Sequence, residues 1–469
     1  MRALVLLCIC RVLAFAGPNC QSEITKDCGT ATGDACKKCV ESHGLHKHGC
    51  TNAQIASICA GGPSPTPPSP GPAGNALTKV LLNNSDPSAI GGRCGDGSPS
   101  GYYYAGAQPS ATNKWVIHMK GGGACQTEAS CKGWMAQKGS SKNWIPTIDG
   151  NPHLEPLIDG DSVQNPDFHA WNRVRVNYCT GDFHAGQRTG PSADTWNYWF
   201  DGHLNVQRVI SDLKAKHGLG NATHVLVSGE SAGGIGLFVN IDYIASLLPN
   251  DTIIKGAPQA GWFFPEDPVA TPKGAGFPLT FEAKEITHST ALPFNVSNGD
   301  PLQHRFAPPA CVAAQLNASY CFSAHNIYPH ITAPMFIVEN QYDTAQIYAN
   351  YGRAPKHPKT GKEVAQKADY VSYYGTTMRN SIVPQIKAHG QTKTKGKDGM
   401  FLPSCLSHAL STESTLAAQV SASNSTQQVN WVEMVGDWYF ERNKFASHLL
   451  IDDCKMTDGQ PCNPNCPEA

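Results

Sequence analysis

Residues 223–234 read Thr-His-Val-Leu-Val-Ser-Gly-Glu-Ser-Ala-Gly-Gly, and this stretch decides the fold. An apolar run typical of a buried strand leads into Gly-x-Ser-x-Gly, which is centred on Ser231, and a helix-like stretch over residues 232–248 follows. This order predicts a nucleophile elbow, a sharp strand-to-helix turn that exposes the serine hydroxyl at the end of a sheet. Gly-x-Ser-x-Gly alone is also compatible with an ordinary glycine-rich turn, so the prediction depends on the strand and helix around it.

A second glycine-rich segment follows an earlier strand-like run at residues 115–119. Residues 120–125 read Lys-Gly-Gly-Gly-Ala-Cys. Backbone amides on such a loop can stabilise the oxyanion of an acyl-transfer intermediate, and glycines let a substrate approach them closely. The amide of Ala232, directly after Ser231, would be a further donor. Without the elbow, the three glycines would indicate only a flexible turn.

The rest of the chain beyond residue 76 alternates between strand-like and helix-like segments. Further strand-like runs lie at residues 174–178 and 334–338, and residues 203–217 have helical spacing. Strands that alternate with helices predict a mainly parallel sheet covered on both faces. We therefore expect one α/β domain over residues 76–469, with the α/β-hydrolase fold that the elbow favours.

The N-terminal segments predict a secreted protein with a small separate module. Residues 1–16 have the basic start, apolar run and Ala14-Phe-Ala16 ending of a signal peptide, and the run is too short for the alternative, a membrane anchor. Residues 17–60 contain six cysteines, which predicts a small disulfide-rich module; the alternative is a zinc site at Cys36-x-x-Cys39. Residues 61–75 are a Pro-rich linker, which favours an extended spacer.

Composition and modification signals agree with secretion. Of 18 cysteines, all but Cys8 and Cys10 lie beyond the signal segment, and a high count in a secreted chain predicts disulfides. The formal net charge is −1, which gives no reason to expect a nucleic-acid partner, and no later stretch is apolar enough to span a membrane. Glycosylation sequons occur at Asn83, Asn221, Asn250, Asn295, Asn317 and Asn424.

A serine nucleophile needs a base and an acid that orients the base. In α/β-hydrolases these follow the serine in the order acid, then histidine. Asp343, after the strand-like run at 334–338, and His408 lie in that order. The chain has 18 histidines, so the order alone does not select one. Asp182, His184, Trp262 and Phe263 are further candidates for the pocket, each with a structural role as its alternative.

The sequence resembles the pectin acetylesterase and Notum family of carboxylesterases. The resemblance implies Ser231, Asp343 and His408 as the triad and the amides of Gly122, Gly123 and Ala232 as the oxyanion hole. It also implies local disulfides Cys125–Cys131 and Cys311–Cys321, a pair Cys94–Cys179, and a bridge from Cys405 to Cys454, Cys462 or Cys466. The motifs that carry it span most of residues 76–469: residues 115–125, 177–179, 228–234, 342–346, 404–408 and 436–440.

The chain departs from the family pattern at three positions around the predicted site. The family usually has Glu where this chain has Lys120, Trp at or next to the last glycine where it has Ala124, and Cys or Thr where it has Glu230. These changes concern the shape and charge of the acyl pocket and leave the triad residues intact.

The resemblance implies a secreted serine carboxylesterase, and small residues at Gly123 and Ala124 favour removal of acetyl groups from a polysaccharide such as pectin. One alternative is removal of a fatty acyl group from a secreted protein, as in the Notum branch; another is a catalytically inactive carbohydrate-binding protein. We expect no cofactor and no metal. The N-terminal module is a candidate for binding carbohydrate or cell wall.

Overall fold

The computed structural model describes residues 36, 38–39, 76–83, 90–125, 128–150, 154–263, 308–314, 321–351, 364–410, 412–423, 425–453 and 463–466. The predicted signal peptide, the Pro-rich linker, most of the cysteine-rich module and the sequons at Asn295, Asn317 and Asn424 lie outside these residues. The chain divides into two units between Ala73 and Gly74, and the proposed domain boundaries remain a prediction.

Strands and helices alternate through most of the described chain, as the sequence pattern predicts. The strands are β1 Leu77–Leu81, β2 Gly101–Ala105, β3 Lys114–Met119, β4 Thr147–Ile148, β5 Asn172–Val176, β6 His224–Glu230, β7 Ile253–Gln259, β8 Phe336–Val338, β9 Gly399–Leu402, β10 Thr415–Val420, β11 Ser425–Asn430 and β12 Leu449–Ile451. The α-helices are α1 Glu128–Lys138, α2 Gly202–His217, α3 Ala232–Ser246, α4 Pro309–Ala314, α5 Ala324–Ile327, α6 Thr344–Tyr351, α7 Val364–Gln385 and α8 Trp431–Tyr439. Short 3₁₀ turns lie at Pro109–Ala111, Pro156–Ile158, Ala193–Thr195, Leu219–Asn221 and Tyr328–His330, and a π turn at Ile386–Gly390 extends α7.

In the described residues, one sheet of ten strands forms the centre of the larger unit, Gly74–Ala469. Its order is β12-β9-β8-β7-β6-β3-β5-β2-β1-β4, and every neighbouring pair from β12 to β5 is parallel. The remaining strands, β2, β1 and β4, pair antiparallel at one edge. This mainly parallel sheet confirms the predicted α/β-hydrolase fold. Since the parallel strands run the same way, the loops that follow β3, β6, β7, β8 and β9 meet at one edge of the sheet.

Each face of the sheet has its own apolar core, because successive side chains of a strand point to opposite faces. On one face, Trp115 and Ile117 of β3 join Val225 and Val227 of β6 in the core under α2 and α3. On the other face, Leu226 packs in a second core together with residues of α8. Both faces are therefore covered, as continuous apolar runs in the central strands require.

The helix that follows Ser231 lies unusually close to the sheet. A Cβ added to Gly233 of α3 would lie 1.9 Å from the carbonyl oxygen of Met119 at the end of β3. One added to Gly229 would lie 2.4 Å from the carbonyl oxygen of Gly233. The glycines of the motif are therefore required by direct backbone contact between β3, β6 and α3.

Four disulfides lie in the described part of this unit: Cys94–Cys179, Cys125–Cys131, Cys311–Cys321 and Cys405–Cys466. They confirm the pairs implied by the resemblance and select Cys466 as the partner of Cys405. In the N-terminal module, Cys36 and Cys39 are both disulfide-bonded, which leaves neither as a thiolate for the alternative zinc site.

Two of the sequence expectations concern membrane spans and glycan attachment. Among the described residues, no helix is both long enough and apolar enough to cross a bilayer. The three sequon asparagines that the structure describes, Asn83, Asn221 and Asn250, are all exposed, as glycan attachment requires. Glycosylation itself remains a prediction.

Gly233→Ala tests the close contact between α3 and β3. The added methyl group would overlap a backbone oxygen that cannot rotate away, so we expect the free energy of unfolding to fall by about 3 kcal/mol or more. Denaturant unfolding of residues 74–469 would measure it. Gly133→Ala, in an exposed position of α1 with open space around it, is the matched control and should stabilise by up to ~1 kcal/mol. Equal effects of the two changes would contradict the contact.

Candidate active site

Ser231 occupies the turn between β6 and α3 in a strained backbone conformation. Its φ is 55° and its ψ is −122°, a region that costs a non-glycine residue about 1–3 kcal/mol. The turn is held by hydrogen bonds on both sides: the Ser231 amide donates to the carbonyl of Gln259 (2.9 Å), and the Ile235 amide donates to the carbonyl of Ser231 (3.0 Å). The serine is partly exposed at the carboxyl edge of the sheet, as an elbow serine should be.

Asp343 and His408 are in direct contact, although 65 positions separate them in sequence. The Nδ1 atom of His408 lies 2.7 Å from Oδ2 of Asp343. Asp343 follows β8 and is fully buried, and its Oδ1 accepts a hydrogen bond from the amide of Gln346 in the first turn of α6 (2.9 Å). The His408 side chain, by contrast, is 27% exposed. This contact fixes the carboxylate and leaves the imidazole accessible.

The carboxylate determines the protonation of the imidazole. Burial lowers the pKa of His408, but the charge and hydrogen bond of Asp343 raise it more, so the pKa lies above the usual 6.5. An ionised carboxylate only accepts hydrogen bonds, so Nδ1 carries the proton of the neutral ring. The lone pair is then on Nε2, where a general base needs it.

Gln259, at the end of β7, connects the serine turn to the histidine loop. Its backbone carbonyl accepts the hydrogen bond from the Ser231 amide, and its side-chain Nε2 donates to the carbonyl of Leu410 (2.7 Å). Leu410 is two residues from His408, in the loop that the Cys405–Cys466 disulfide also anchors. The sequence gives no indication of this role, because a glutamine at the end of a strand has no pattern that would predict hydrogen bonds to two distant loops.

Glu339, also missed, is a second buried acid beside Asp343. It directly follows β8, is fully buried, and its Oε2 accepts a hydrogen bond from the amide of Trp262 (2.9 Å). Burial, followed by the negative charge of Asp343, raises the pKa of Glu339 well above its usual value. Both effects favour the protonated, uncharged form of Glu339. The available signal was an acidic residue at the end of an apolar strand, four positions before the predicted acid.

The glycine loop after β3 has a fixed orientation. Gly122 and Gly123 have φ values of 145° and 71°. The carbonyl oxygen of Gly122 accepts hydrogen bonds from Nε1 of Trp134 (3.0 Å) and Nζ of Lys138 (2.8 Å). Because a trans peptide is planar, the amide of Gly123 points away from Trp134 and Lys138. No atom lies within 4 Å of the Cβ position of Gly123, so this part of the loop borders open space.

This loop touches the serine turn, which brings the predicted oxyanion residues to one place. A Cβ on Gly233 would lie 3.0 Å from the carbonyl carbon of Lys120, and one on Gly121 would lie 2.3 Å from the carbonyl oxygen of Glu230. Ala232 begins α3 beside them, at the positive end of the helix dipole. The glycine loop therefore lies against the serine turn at the start of α3; the oxyanion hole itself remains a prediction.

Two of the departures from the family pattern form an ion pair. The ammonium of Lys120 contacts the carboxylate of Glu230, and it also lies 3.1 Å from Glu155. Together with His118, these two acids bring possible metal ligands within 4.8 Å of one another. The Lys120 ammonium already contacts both carboxylates, so the cluster has its cation in the protein itself.

Of the four further pocket candidates, three are buried and one is partly exposed near His408. Asp182 is buried and accepts hydrogen bonds from Thr180 Oγ1 (2.6 Å) and the Gly202 amide (2.7 Å), which indicates a structural role. His184 is buried, and burial lowers its pKa to about 4; its Nε2 donates to the carbonyl of Lys120 (2.8 Å). Trp262 is fully buried in the core, whereas Phe263 is half-buried, with its ring centroid 6.5 Å from that of His408.

Comparison with known proteins identifies a family. The family described as Pectinacetylesterase matches residues 74–467. The chain is 28% identical to pectin acetylesterase 11 of Arabidopsis thaliana, over 81% of this chain and 90% of that protein. It is also 28% identical to palmitoleoyl-protein carboxylesterase notum1a of Danio rerio, over 80% of this chain and 70% of that protein. The crystal structure of the Wnt deacylase Notum from Drosophila shares the fold, with a TM-score of 0.62 at 23% identity over 84% of this chain and 100% of that one.

Asp343→Asn tests the electrostatic coupling of Asp343 to His408. The carboxylate raises the pKa of the imidazole, so its neutral replacement should lower that pKa. NMR titration of the imidazole protons would measure the shift, with the spectrum of His408→Gln assigning the resonance. The other histidine resonances are the internal control. An unchanged His408 pKa would show that the two side chains are not in contact in solution.

Proposed function

The chain belongs to the pectinacetylesterase family, and we propose that it is a secreted serine carboxylesterase that uses Ser231, His408 and Asp343 as a catalytic triad. The observation that carries the proposal is the contact of His408 with Asp343 on a loop that Gln259 ties to the Ser231 turn. The contact and the Gln259 hydrogen bonds together connect three separate loops, whose candidate residues follow the order that α/β-hydrolases use. A catalytically inactive binding protein would have no need to retain it.

In the proposed reaction, Nε2 of His408 takes the proton of the Ser231 hydroxyl as its oxygen attacks the ester carbonyl. The amides of Gly122, Gly123 and Ala232 donate to the oxyanion that forms. His408 then gives its proton to the departing alcohol, which leaves the acyl group on Ser231. Water attacks this acyl-enzyme with His408 again as base, and the carboxylic acid and free Ser231 are released. Asp343 holds the imidazole and stabilises its protonated form.

For the substrate, we propose an O-acetylated polysaccharide such as pectin. This chain is 28% identical both to a relative named as a pectin acetylesterase and to one named as a palmitoleoyl-protein carboxylesterase. We therefore infer the substrate from the side chains around the site. Ala124 gives the glycine loop no aromatic side chain of its own. Trp134 of α1 donates to the carbonyl of Gly122 and packs on Tyr178 with ring centroids 5.3 Å apart, so it supports the loop on the side opposite the Gly123 amide. The half-buried Phe263, beside His408, is the aromatic side chain that favours a short pocket.

Ser231→Ala should abolish turnover while leaving the fold intact. Loss of a triad nucleophile lowers kcat by about 10⁴-fold or more, and only one hydroxyl is removed from a partly exposed turn. Hydrolysis of p-nitrophenyl acetate by the purified full chain measures the effect, with thermal unfolding as the check on folding. Ser228→Ala, which changes the serine inside β6, is the matched control and should retain most of the activity. Activity of Ser231→Ala within tenfold of wild type would rule out this nucleophile.

The acyl-chain length of preferred esters tests the substrate. A pocket that accepts a long chain gains about 0.8 kcal/mol per buried methylene, whereas a pocket sized for acetyl meets steric cost beyond two carbons. We expect kcat/KM to be highest for acetate in a p-nitrophenyl ester series from acetate to palmitate. A steady rise from acetate to octanoate would instead favour the alternative, removal of a fatty acyl group from a secreted protein.

A further inference from the structure

The side chain of Glu230, the residue directly before Ser231, reaches across to the glycine loop. Its Oε2 accepts a hydrogen bond from the amide of Gly121, and its Oε1 accepts one from the ammonium of Lys120. Glu230 is therefore covalently joined to the proposed nucleophile and hydrogen-bonded to the loop that carries two of the proposed oxyanion donors. The two halves of the site are connected through one carboxylate.

Other contacts hold this loop to the surrounding protein. The amide of Lys120 donates to the carbonyl of Val176 (3.1 Å), and its carbonyl accepts from His184 (2.8 Å). Trp134 and Lys138 bind the carbonyl of Gly122. These partners lie in β5, α1 and the loop after β5, and so they do not fix the distance to Ser231. The Glu230 contact comes from the residue next to Ser231, and beyond the pairing of β3 with β6 it joins the loop directly to the nucleophile turn.

A buried carboxylate is costly unless it is paired, and that of Glu230 belongs to a row of side chains with alternating negative and positive charge. Lys120 contacts Glu230 and lies 3.1 Å from Glu155, and Glu155 lies 3.1 Å from Nε of Arg175. Burial would raise the pKa of Glu230, but the neighbouring His118 and the charge of Lys120 together lower it to about 2. Glu230 is therefore ionised at every pH at which His408 could act as a base.

We propose that Glu230 is a positioning residue that fixes the glycine loop at the separation from Ser231 that oxyanion stabilisation requires, with Lys120 holding its carboxylate in place. This inference rests on the proposed serine esterase function. Because Glu230 acts on donors that bind the oxyanion and not on the bound ester, its loss should lower kcat and leave KM nearly unchanged.

Two double variants separate the hydrogen bond to Gly121 from the ion pair with Lys120. Glu230→Gln/Lys120→Met removes both charges but keeps an oxygen that can accept from the Gly121 amide. Glu230→Met/Lys120→Met also removes both charges, at similar volume, and leaves that amide without its acceptor. With p-nitrophenyl acetate, we expect kcat to fall about fivefold in the first double variant and about 100-fold in the second. The larger loss is expected because a displacement of catalytic groups by about 1 Å can lower the rate about 100-fold. KM should stay within about threefold in both.

Equal kcat values in the two double variants would overturn the inference, because a role limited to the ion pair affects both alike. If Glu230→Met/Lys120→Met does not fold, Glu230→Asn/Lys120→Met replaces it. Its amide is one methylene shorter and cannot reach Gly121, so kcat should again fall well below that of the Gln variant. A wild-type protein that does not react at Ser231 overturns the proposed function and this role together. Equal variants of an active protein overturn only this role.

Discussion

The direct contact between the backbone of α3 and the end of β3 is the constraint on which the site depends. Gly233 leaves no room for a side chain against the Met119 carbonyl, and Gly229 leaves none against Gly233. This close approach places the start of α3 beside the glycine loop after β3. It also forces Ser231 into its strained conformation, which hydrogen bonds to Gln259 and from Ile235 maintain. Packing energy is thus used to hold a reactive geometry that the local chain alone would not adopt.

The sequence predicted the parts of this arrangement that are local. Strands β3 and β6 and helix α3 have patterns that depend on near neighbours, and the elbow between them has a fixed spacing. The antiparallel edge formed by β2, β1 and β4 was not predicted, because strand pairing across the sheet is a long-range property. His408 is similar: order along the chain left several histidines possible, and only the resemblance selected the one that contacts Asp343.

The residues that sequence reasoning missed act through contacts between distant segments. Gln259 joins the Ser231 turn to Leu410, which follows Gln259 by 151 positions, and its role is visible only once β7 is placed beside β6. Lys120 and Glu230 were recognised as separate departures from the family pattern. Their contact at the ends of two parallel strands indicates that they compensate each other, because the buried carboxylate of Glu230 would be costly without its cation. A change that looks unfavourable at one position can thus be a paired change in the folded protein.

The opposite pKa shifts of Glu230 and Glu339 have a consequence for the base. His408 has its pKa raised by Asp343 and, more weakly, by the charge of Glu230. An ionised Glu339 beside Asp343 would raise it further and leave less of the neutral imidazole that a base requires. Burial and the charge of Asp343 favour the uncharged form of Glu339, whereas His118 and Lys120 favour the ionised form of Glu230. The site therefore has a carboxylate where a hydrogen-bond acceptor is needed, and it disfavours a further negative charge where that charge would leave less of His408 neutral.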